Sequence, residues 1–162
     1  MPSRIPDLTA ALAGNDSSQR QAAADALAQL GEEAAPAAVA LVTACGTDDE
    51  AREWIVSALE SLGAPPDDSV AQLAKLAGNP AQDVAYWAVT LLGRAKAAAA
   101  VSALADALAK HPAIVVRQRA AWALGQIGPP AAAARGALEA AAADPDSRLA
   151  SLAREALGQL GG

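Results

Sequence analysis

Histidine and cysteine, the side chains that most often perform catalysis or bind transition metals, occur once each in this chain of 162 residues. A zinc site needs about four ligands, and a cysteine nucleophile needs a histidine base beside it. His111 and Cys45 are far apart in the sequence and supply neither set. His111 precedes a proline and is expected to be an exposed turn residue, whereas Cys45 is expected to be a buried, inert thiol.

Acidic residues form three clusters, which are Glu32-Glu33, Asp48-Asp49-Glu50 and Asp67-Asp68. They fall in turns or in the first turn of predicted helices, where carboxylates cap backbone N–H groups and interact favourably with the helix dipole. A hard-cation site or a catalytic pair is the alternative interpretation. No lysine lies in a glycine-rich phosphate loop. We therefore predict no catalytic, cofactor-binding or metal-binding residues, no cofactor, and a protein that is not an enzyme.

The elements that must position these residues are predicted to be helices. Alanine contributes 48 residues, and hydrophobic residues reach 53% although aromatic residues reach only 2%. Alanine is the strongest helix former and is depleted in strands. A core made of small and aliphatic side chains also requires close backbone approach, which packed helices provide. The composition predicts an all-α protein.

The charge is unevenly distributed along the chain. The net charge is −6, with 4 basic and 12 acidic side chains in residues 1–81 and 8 basic and 6 acidic ones in residues 82–162. An acidic balance argues against general binding to nucleic acids or anionic membranes. The single cysteine rules out an internal disulfide, no apolar run of about 20 residues is present, and the first residues are not expected to form a signal peptide. These features predict a cytoplasmic protein without a membrane segment.

Internal repetition is the strongest signal in the sequence. Five similar segments end at glycines 30 to 35 residues apart, and each has apolar residues with helical spacing before its glycine. The glycines are predicted to follow helix ends in the left-handed conformation; they are Gly31, Gly63, Gly93, Gly128 and Gly161. Asn79-Pro80 and Asp144-Pro145 are predicted helix starts, with His111-Pro112 as a weaker version. The pattern predicts ten helices that alternate between A helices, which end at the glycine, and B helices, which follow it.

The segment Val116-Arg117-Gln118-Arg119-Ala120-Ala121-Trp122-Ala123-Leu124-Gly125-Gln126-Ile127-Gly128 resembles the HEAT-like repeat of the phycobilisome-lyase type. The resemblance implies a right-handed α–α superhelix, a HEAT-like α-solenoid of about five helix pairs. It predicts one domain over 1–162, divided into a half-unit 1–14, repeats at about 15–46, 47–78, 79–110 and 111–143, and a final helix 144–162. The arginine of the pattern appears as Arg20, Arg52 and Arg117, where it is expected to tie adjacent repeats. Gln82 and Ala150 stand at that place in the third and fifth copies.

Two tryptophans are candidate binding residues. Trp87 and Trp122 each lie six residues before a closing glycine, so we interpret them as equivalent positions far from the apolar stripe of their helices. With Tyr86 beside them, they would form an exposed apolar surface for a partner or for self-association. The alternative is that a packing neighbour buries them. Trp54 is closer to the apolar stripe and is predicted to be a packing residue, and the edge of the last helix (Leu149, Leu152, Leu160) is expected to be partly open.

HEAT-like proteins usually bind partners on the face lined by B helices, so the resemblance adds a second set of candidates. The outward positions on that face include Ala40, Thr43, Gln72, Lys75, Ser102, Asp106, Arg135 and Glu139, of which the last six are the binding candidates. Because their charges are sparse and mixed, ordinary solvated surface is the alternative. The predicted function is a non-enzymatic protein–protein interaction module or small scaffold, whose protein partner the sequence does not identify.

Two other functions stay open at this point. The first is a bilin lyase or a lyase-accessory protein, and the second is a nucleic-acid-binding HEAT-like protein. An iron-dependent hydroxylase of similar fold is excluded, because such an enzyme requires paired His-Glu ligands and this chain has a single histidine.

Overall fold

Ten α-helices follow one another along residues 4–47 and 50–161, which are the residues that the computed structural model describes. These ranges contain ten α-helices and no strand, which confirms the all-α class and the predicted number of helices. Asp48 and Asp49 of the acidic clusters lie outside the described residues. The helices are α1 (Ile5–Leu12), α2 (Ser17–Leu30), α3 (Ala38–Cys45), α4 (Arg52–Ser61), α5 (Val70–Leu76), α6 (Gln82–Arg94), α7 (Val101–Lys110), α8 (Ile114–Ile127), α9 (Arg135–Ala142) and α10 (Ser147–Leu160).

The helices divide between two compact units, residues 1–69 with α1–α4 and residues 70–162 with α5–α10. In the first unit, α2 packs against α1 and α4, and α3 packs against the same two helices. In the second unit, the A helices α6, α8 and α10 pack in chain order as one layer. The B helices α5, α7 and α9 form the other layer, and each packs on the A helix that follows it. This alternation is that of an α-solenoid, the predicted fold class; the single repeat domain and its boundaries stay a prediction.

Alanine and leucine fill the core because small side chains let helix axes approach while leucine fills the space between them. In α8, Ala120, Ala121, Ala123 and Leu124 are each 0% exposed. Cys45 is a buried free thiol, as its apolar helix predicts.

The turns after the A helices only partly match the expected glycine pattern. Gly31, Gly128 and Gly161 have φ angles of 57°, 74° and 85°, as predicted for residues that follow a helix end. Their ψ angles are −127°, −140° and 143°, so they adopt an extended conformation of positive φ that is open almost only to glycine. The prediction of positive φ was wrong for Gly63 and Gly93.

In the third repeat, Lys96 occupies the place that the sequence pattern assigned to Gly93. Helix α6 continues through Gly93 to Arg94, and Lys96 adopts the positive φ of 49°. With Lys96 as the third reference, successive repeats are 32 or 33 residues apart, which is more regular than the glycine spacing. Gly93 is thereby equivalent to Gly125, because a Leu-Gly pair lies within the helix in both repeats.

This register corrects two equivalences drawn from the sequence. Trp87 is equivalent to Arg119, whereas Trp122 is equivalent to Thr90, so the two tryptophans do not occupy the same position in their repeats. Likewise Ala85, and not Gln82, stands at the place of the repeat arginine in the third copy.

The helix starts lie two residues later than predicted. Asn79 Oδ1 accepts a hydrogen bond from the backbone N–H of Ala81 (2.9 Å), and Asp144 Oδ1 accepts one from that of Asp146 (2.9 Å). Asn and Asp side chains commonly form such turns with the residue two positions on. The actual N-cap of α10 is Asp146, whose side chain accepts from the backbone N–H of Leu149.

Arg117 joins three elements of the second unit. Its Nε donates to the carbonyl oxygen of Leu108 at the end of α7 (2.9 Å), and its Nη2 donates to Asp144 Oδ2 before α10 (3.0 Å). This confirms that the repeat arginine ties adjacent repeats at this junction. The hydrogen bond from the backbone of Asp146, together with the charge and hydrogen bond of Arg117, holds the pKa of Asp144 below its ordinary value.

Gly93 and Gly125 each face an alanine of the next A helix at close range. A Cβ added at Gly93 would lie 2.5 Å from Cζ3 of Trp122 and 3.1 Å from Cα of Ala123, and one at Gly125 would lie 3.2 Å from Cα of Ala156. At the equivalent Gly158 of α10, such an atom would meet nothing within 4 Å.

These contacts predict opposite effects for the same substitution. We expect Gly93→Ala to lower the free energy of unfolding by about 1–3 kcal/mol, because the added methyl group must displace a ring and a backbone. Gly158→Ala should raise it by about 0.5–1 kcal/mol through helix propensity alone. Urea denaturation of both variants measures the difference, and equal effects would contradict the close approach at Gly93.

The lowered pKa of Asp144 predicts a pH-dependent effect of Asp144→Asn. A depressed carboxyl pKa stabilises the fold above the unfolded-state pKa of about 4, and this stabilisation is lost as the pH falls through the folded value. The variant should therefore be less stable than the parent at neutral pH and equally stable in strong acid. Thermal unfolding across this range tests the prediction, with the exposed Asp106→Asn as control; a stability difference that persists in acid would contradict it.

Candidate functional site: an arginine–aromatic groove

The structure separates the environments of the two candidate tryptophans. Trp87 is buried, with 9% of its surface exposed, and its ring contacts Tyr86 edge-on at a centroid distance of 5.5 Å. This burial confirms the alternative interpretation for Trp87, that a packing neighbour buries it, and contradicts the exposed position that its place on the helix predicted. Trp122 is half-buried. The apolar stripe alone did not predict the burial of Trp87, because α6 packs against α8 in the A-helix layer as well as against the B helix α5.

Trp54 also differs from its predicted environment. It was expected to be a packing residue, but 45% of its side chain is exposed, more than for any other large apolar side chain described. It lies nine residues before its closing glycine, as Arg119 does in the fourth repeat, and that position is at least partly open in both.

Arg119 is held between two aromatic rings. Its guanidinium carbon lies 3.8 Å from the ring centroid of Trp122 and 5.5 Å from that of Tyr86. Its Nε donates to Oγ1 of Thr90 (2.9 Å), and that hydroxyl donates to the carbonyl oxygen of Tyr86 (2.7 Å). Cation–π stacking and a side-chain hydrogen bond thus fix the guanidinium in one orientation.

Partial burial and two nearby arginines shape the electrostatic environment of Arg119. Burial lowers the pKa of its guanidinium; Tyr86 acts in the opposite direction, while the nearby charges of Arg94 and Arg148 lower the pKa further. Among the described residues, no acceptor contacts its terminal nitrogens Nη1 and Nη2. Arg148 is exposed and forms no hydrogen bond or ion pair with any residue in residues 4–47 and 50–161.

These side chains line an open groove of about 320 Å³ that is formed only by A helices, and we call it the arginine–aromatic groove. Its walls come from three successive A helices of the second unit. They are Tyr86 of α6, Val115, Gln118, Arg119 and Trp122 of α8, and Arg148 and Leu152 of α10.

Sequence reasoning missed four groove residues as site residues, namely Val115, Gln118, Arg119 and Arg148. Val115 and Arg148 both lie 13 residues before the end of their repeats, and Arg119 and Leu152 both lie nine residues before it. Aligning the A helices on their ends would have placed these four side chains on one face. Leu152 had been noted as part of an open edge, and it is half-buried, whereas Leu149 and Leu160 are buried.

The candidates on the B helices form a more ordinary surface. Gln72, Lys75, Ser102, Asp106 and Glu139 are exposed. Asp106 forms an exposed ion pair with Lys110 on its own helix (3.1 Å). Lys75 and Asp106 line a second groove of about 320 Å³ beside α5 and α7. Arg135 is half-buried and donates to the carbonyl oxygen of Gly161.

His111 is not the exposed turn residue that the sequence predicted; only 6% of its surface is exposed. Its Nδ1 accepts from the backbone N–H of Ala113 (3.1 Å), which is the role that Asn79 and Asp144 play in their repeats. Since Nδ1 is an acceptor, Nε2 carries the proton and donates to the carbonyl oxygen of Asn79 (2.9 Å). His111 thus links the turns before two successive A helices, α6 and α8, which explains its burial.

The described residues hold neither a metal-ligand cluster nor a membrane-spanning helix. Within residues 4–47 and 50–161, no group of three or more His, Cys, Asp or Glu side chains is arranged to hold a metal ion. None of the helices in those ranges combines the length and apolarity needed to span a membrane.

Comparison with known proteins identifies the family. A family model described as HEAT repeats matches residues 70–158, which is more than half of the chain. The chain belongs to the HEAT repeat family. The match covers α5 to α9 and nearly all of α10, so it includes every helix that lines the arginine–aromatic groove. No curated protein sequence matches this HEAT repeat chain.

Solved structures support the fold. Two engineered proteins align over 98% of this chain with 22% and 23% sequence identity and TM-scores of 0.61 and 0.60. The alignments cover 79% of the first protein and 48% of the second, so this chain spans about half of the latter. Human deoxyhypusine hydroxylase in complex with glycerol aligns more loosely, with 21% identity over 96% of this chain and 73% of the enzyme. Its TM-score of 0.46 is too low to support an argument about this chain.

The two hydrogen bonds of His111 can be separated by substitution. His111→Ala removes both and should lower the free energy of unfolding by about 1–3 kcal/mol, because buried backbone groups lose their partners. His111→Asn retains an acceptor for the turn, as at Asn79, and should lose only the bond between repeats, so its effect should be smaller. Chemical denaturation measures both, with Lys110→Ala as an exposed control; equal losses for Asn and Ala would contradict the turn role.

Proposed function

We propose that this HEAT repeat chain is a non-enzymatic protein-interaction module that contacts its partner through the arginine–aromatic groove. The observation that carries the proposal is the preorganised guanidinium of Arg119, stacked on Trp122 in a groove that is open to solvent. Tryptophan, tyrosine and arginine are the residues that most often dominate binding energy at protein interfaces. The family also favours this function, because repeat proteins present extended surfaces to their partners.

Within this proposal, the groove on the A helices is a stronger candidate than the B-helix face. The B-helix candidates are mostly exposed polar side chains, and Asp106 is already paired with Lys110 on its own helix. The groove instead offers partly buried aromatic surface next to a fixed charge. We keep Gln72, Lys75, Ser102, Asp106, Arg135 and Glu139 as the alternative surface, and Trp87 as a buried support of the groove.

Three finer features also belong to the proposal. The Val116-Arg117 and Ala123-Leu124-Gly125 segments support repeats of the phycobilisome-lyase type. We further propose a single repeat domain with the boundaries predicted from the sequence, and a cytoplasmic location. No observation favours a bilin lyase or a nucleic-acid-binding protein over the interaction module.

Site-specific photo-crosslinking in the cell that naturally makes the protein tests the proposed function. A photoreactive amino acid at Val115, an exposed position in the groove, should yield discrete adducts with another protein, and Arg148→Glu should remove them. The same amino acid at Ser102 reports on the B-helix face. Adducts from Ser102 alone would move the site to that face, and the absence of adducts from both positions would contradict the interaction module.

A further inference from the structure

Two carboxylates at the start of α10, close to Arg148 in the sequence, are already engaged in the fold. Asp144 accepts from Arg117 and from the backbone N–H of Asp146. Asp146 Oδ1 accepts from the backbone N–H of Leu149 (2.7 Å) and from the side-chain amide of Gln118 (3.0 Å). These contacts satisfy both carboxylates at the start of α10.

The arginines of the groove, in contrast, pair with no carboxylate among the described residues. Arg119 uses Nε to bind Thr90, while its terminal nitrogens contact no acceptor among the described residues. Arg148 is likewise unpaired within those residues and lies close enough to Arg119 for their charges to interact. Two guanidinium groups from neighbouring A helices, neither of them in an ion pair with a described residue, therefore line one groove and create a positive potential there.

A guanidinium with free terminal nitrogens is suited to a carboxylate, because its fork of N–H groups can donate two parallel hydrogen bonds to the two oxygens. Stacking and the bond to Thr90 already fix Arg119, so little side-chain entropy is lost when an anion binds. The apolar walls next to the charges, Val115 and Leu152, fit an aliphatic or aromatic side chain.

We propose that the arginine–aromatic groove binds a short acidic segment of a partner protein, in which one or two Asp or Glu carboxylates flank an apolar side chain. The carboxylates pair with Arg119 and Arg148, and the apolar side chain packs between Trp122 and Leu152. This inference rests on the proposed function for the role of the chain and adds the chemistry of the partner.

A peptide fits the electrostatics better than a nucleic acid does. Nucleic-acid binding draws on many phosphate contacts along a basic surface, whereas the chain has a net charge of −6 and the groove presents two arginines that form no ion pair with the described residues. Glu155 lies in an adjoining depression that shares Trp122 and Leu152 with the groove. A continuous polyanion crossing both depressions would meet this carboxylate, but a segment with one or two charges need not.

Selection from a random octapeptide library displayed on phage, panned against the full chain, tests the proposal. The selected peptides should contain Asp or Glu next to Leu, Phe, Tyr or Trp. A synthetic selected peptide should bind about tenfold more weakly when its acidic residues become Asn or Gln, and more weakly at high salt, because charge-assisted hydrogen bonds are lost or screened.

Three matched substitutions remove one positive charge each. Arg148→Gln and Arg119→Gln should each weaken binding of the selected peptide about tenfold. Arg154→Gln, on the same helix as Arg148 but outside the lining of the groove, should change binding less than about twofold. Circular dichroism checks the fold of the Arg119 variant, and the exposed position of Arg148 keeps the test decisive if that variant unfolds.

Several results would overturn the proposal. These are the absence of any selected peptide, selected peptides without acidic residues, equal binding to the Arg148 variant, and tighter binding of a thymidine oligonucleotide than of the peptide. A salt-sensitive dimer that Arg148→Gln dissociates would identify a second copy of the chain as the occupant instead. If Val115 forms photo-crosslinks but the selected peptides lack acidic residues, only the proposed chemistry of the partner is overturned. If the selected peptides are acidic but no photo-crosslinks form in the cell, only the proposed role of the chain is overturned.

Discussion

The contact between a glycine on one A helix and an alanine on the next is the constraint on which the second unit depends. Gly93 faces Ala123, and Gly125 faces Ala156, at distances that leave no room for a Cβ atom at the glycine without displacement. The same contact positions the site, because the ring of Trp122 lies directly against Gly93. Without this close approach, the ring would move away from α6, and Arg119 would lose the surface on which it stacks.

Thr90 extends this constraint from packing to polar contacts. It is fully buried on α6, and its hydroxyl connects the backbone of Tyr86 to the guanidinium of Arg119 on α8. A buried hydroxyl needs hydrogen-bond partners, and here one is a carbonyl of its own helix and the other a cation of the neighbouring helix. The position of the charge is therefore fixed by both helices, and a shift of either one would break the stack or the hydrogen bond.

The sequence predicted the fold class well because its evidence is distributed over the whole chain. Alanine content, helical spacing and five similar segments all indicate stacked helices, and no single residue decides the outcome. The register of the third repeat depended on one residue and was wrong. Gly93 matches a closing glycine by residue type, but only its backbone angles and its contact with Ala123 show that it is the inner glycine of the repeat. Repeat spacing held the missing information, since Lys96 gives the more regular period.

The candidate site was only partly predictable because it is formed by three helices. Residue type was sufficient to select Tyr86 and Trp122, whereas the partners Arg148 and Val115 emerge only when equivalent positions of neighbouring helices are superimposed. The environments of Trp54 and His111 were wrong for a related reason. Exposure depends on what packs against a position, and hydrogen bonds between repeats, such as that from His111 to Asn79, leave no periodic pattern in the sequence.

Local pairing, and not net charge, determines which surface of the second unit attracts an anion. Residues 82–162 carry only a small positive excess, 8 basic against 6 acidic side chains. Asp144 accepts hydrogen bonds in a turn and from Arg117, and Asp146 caps α10, so neither carboxylate pairs with the arginines of the groove. The same junction that joins one repeat to the next therefore leaves Arg119 and Arg148 without a carboxylate partner in residues 4–47 and 50–161, and both side chains line the groove.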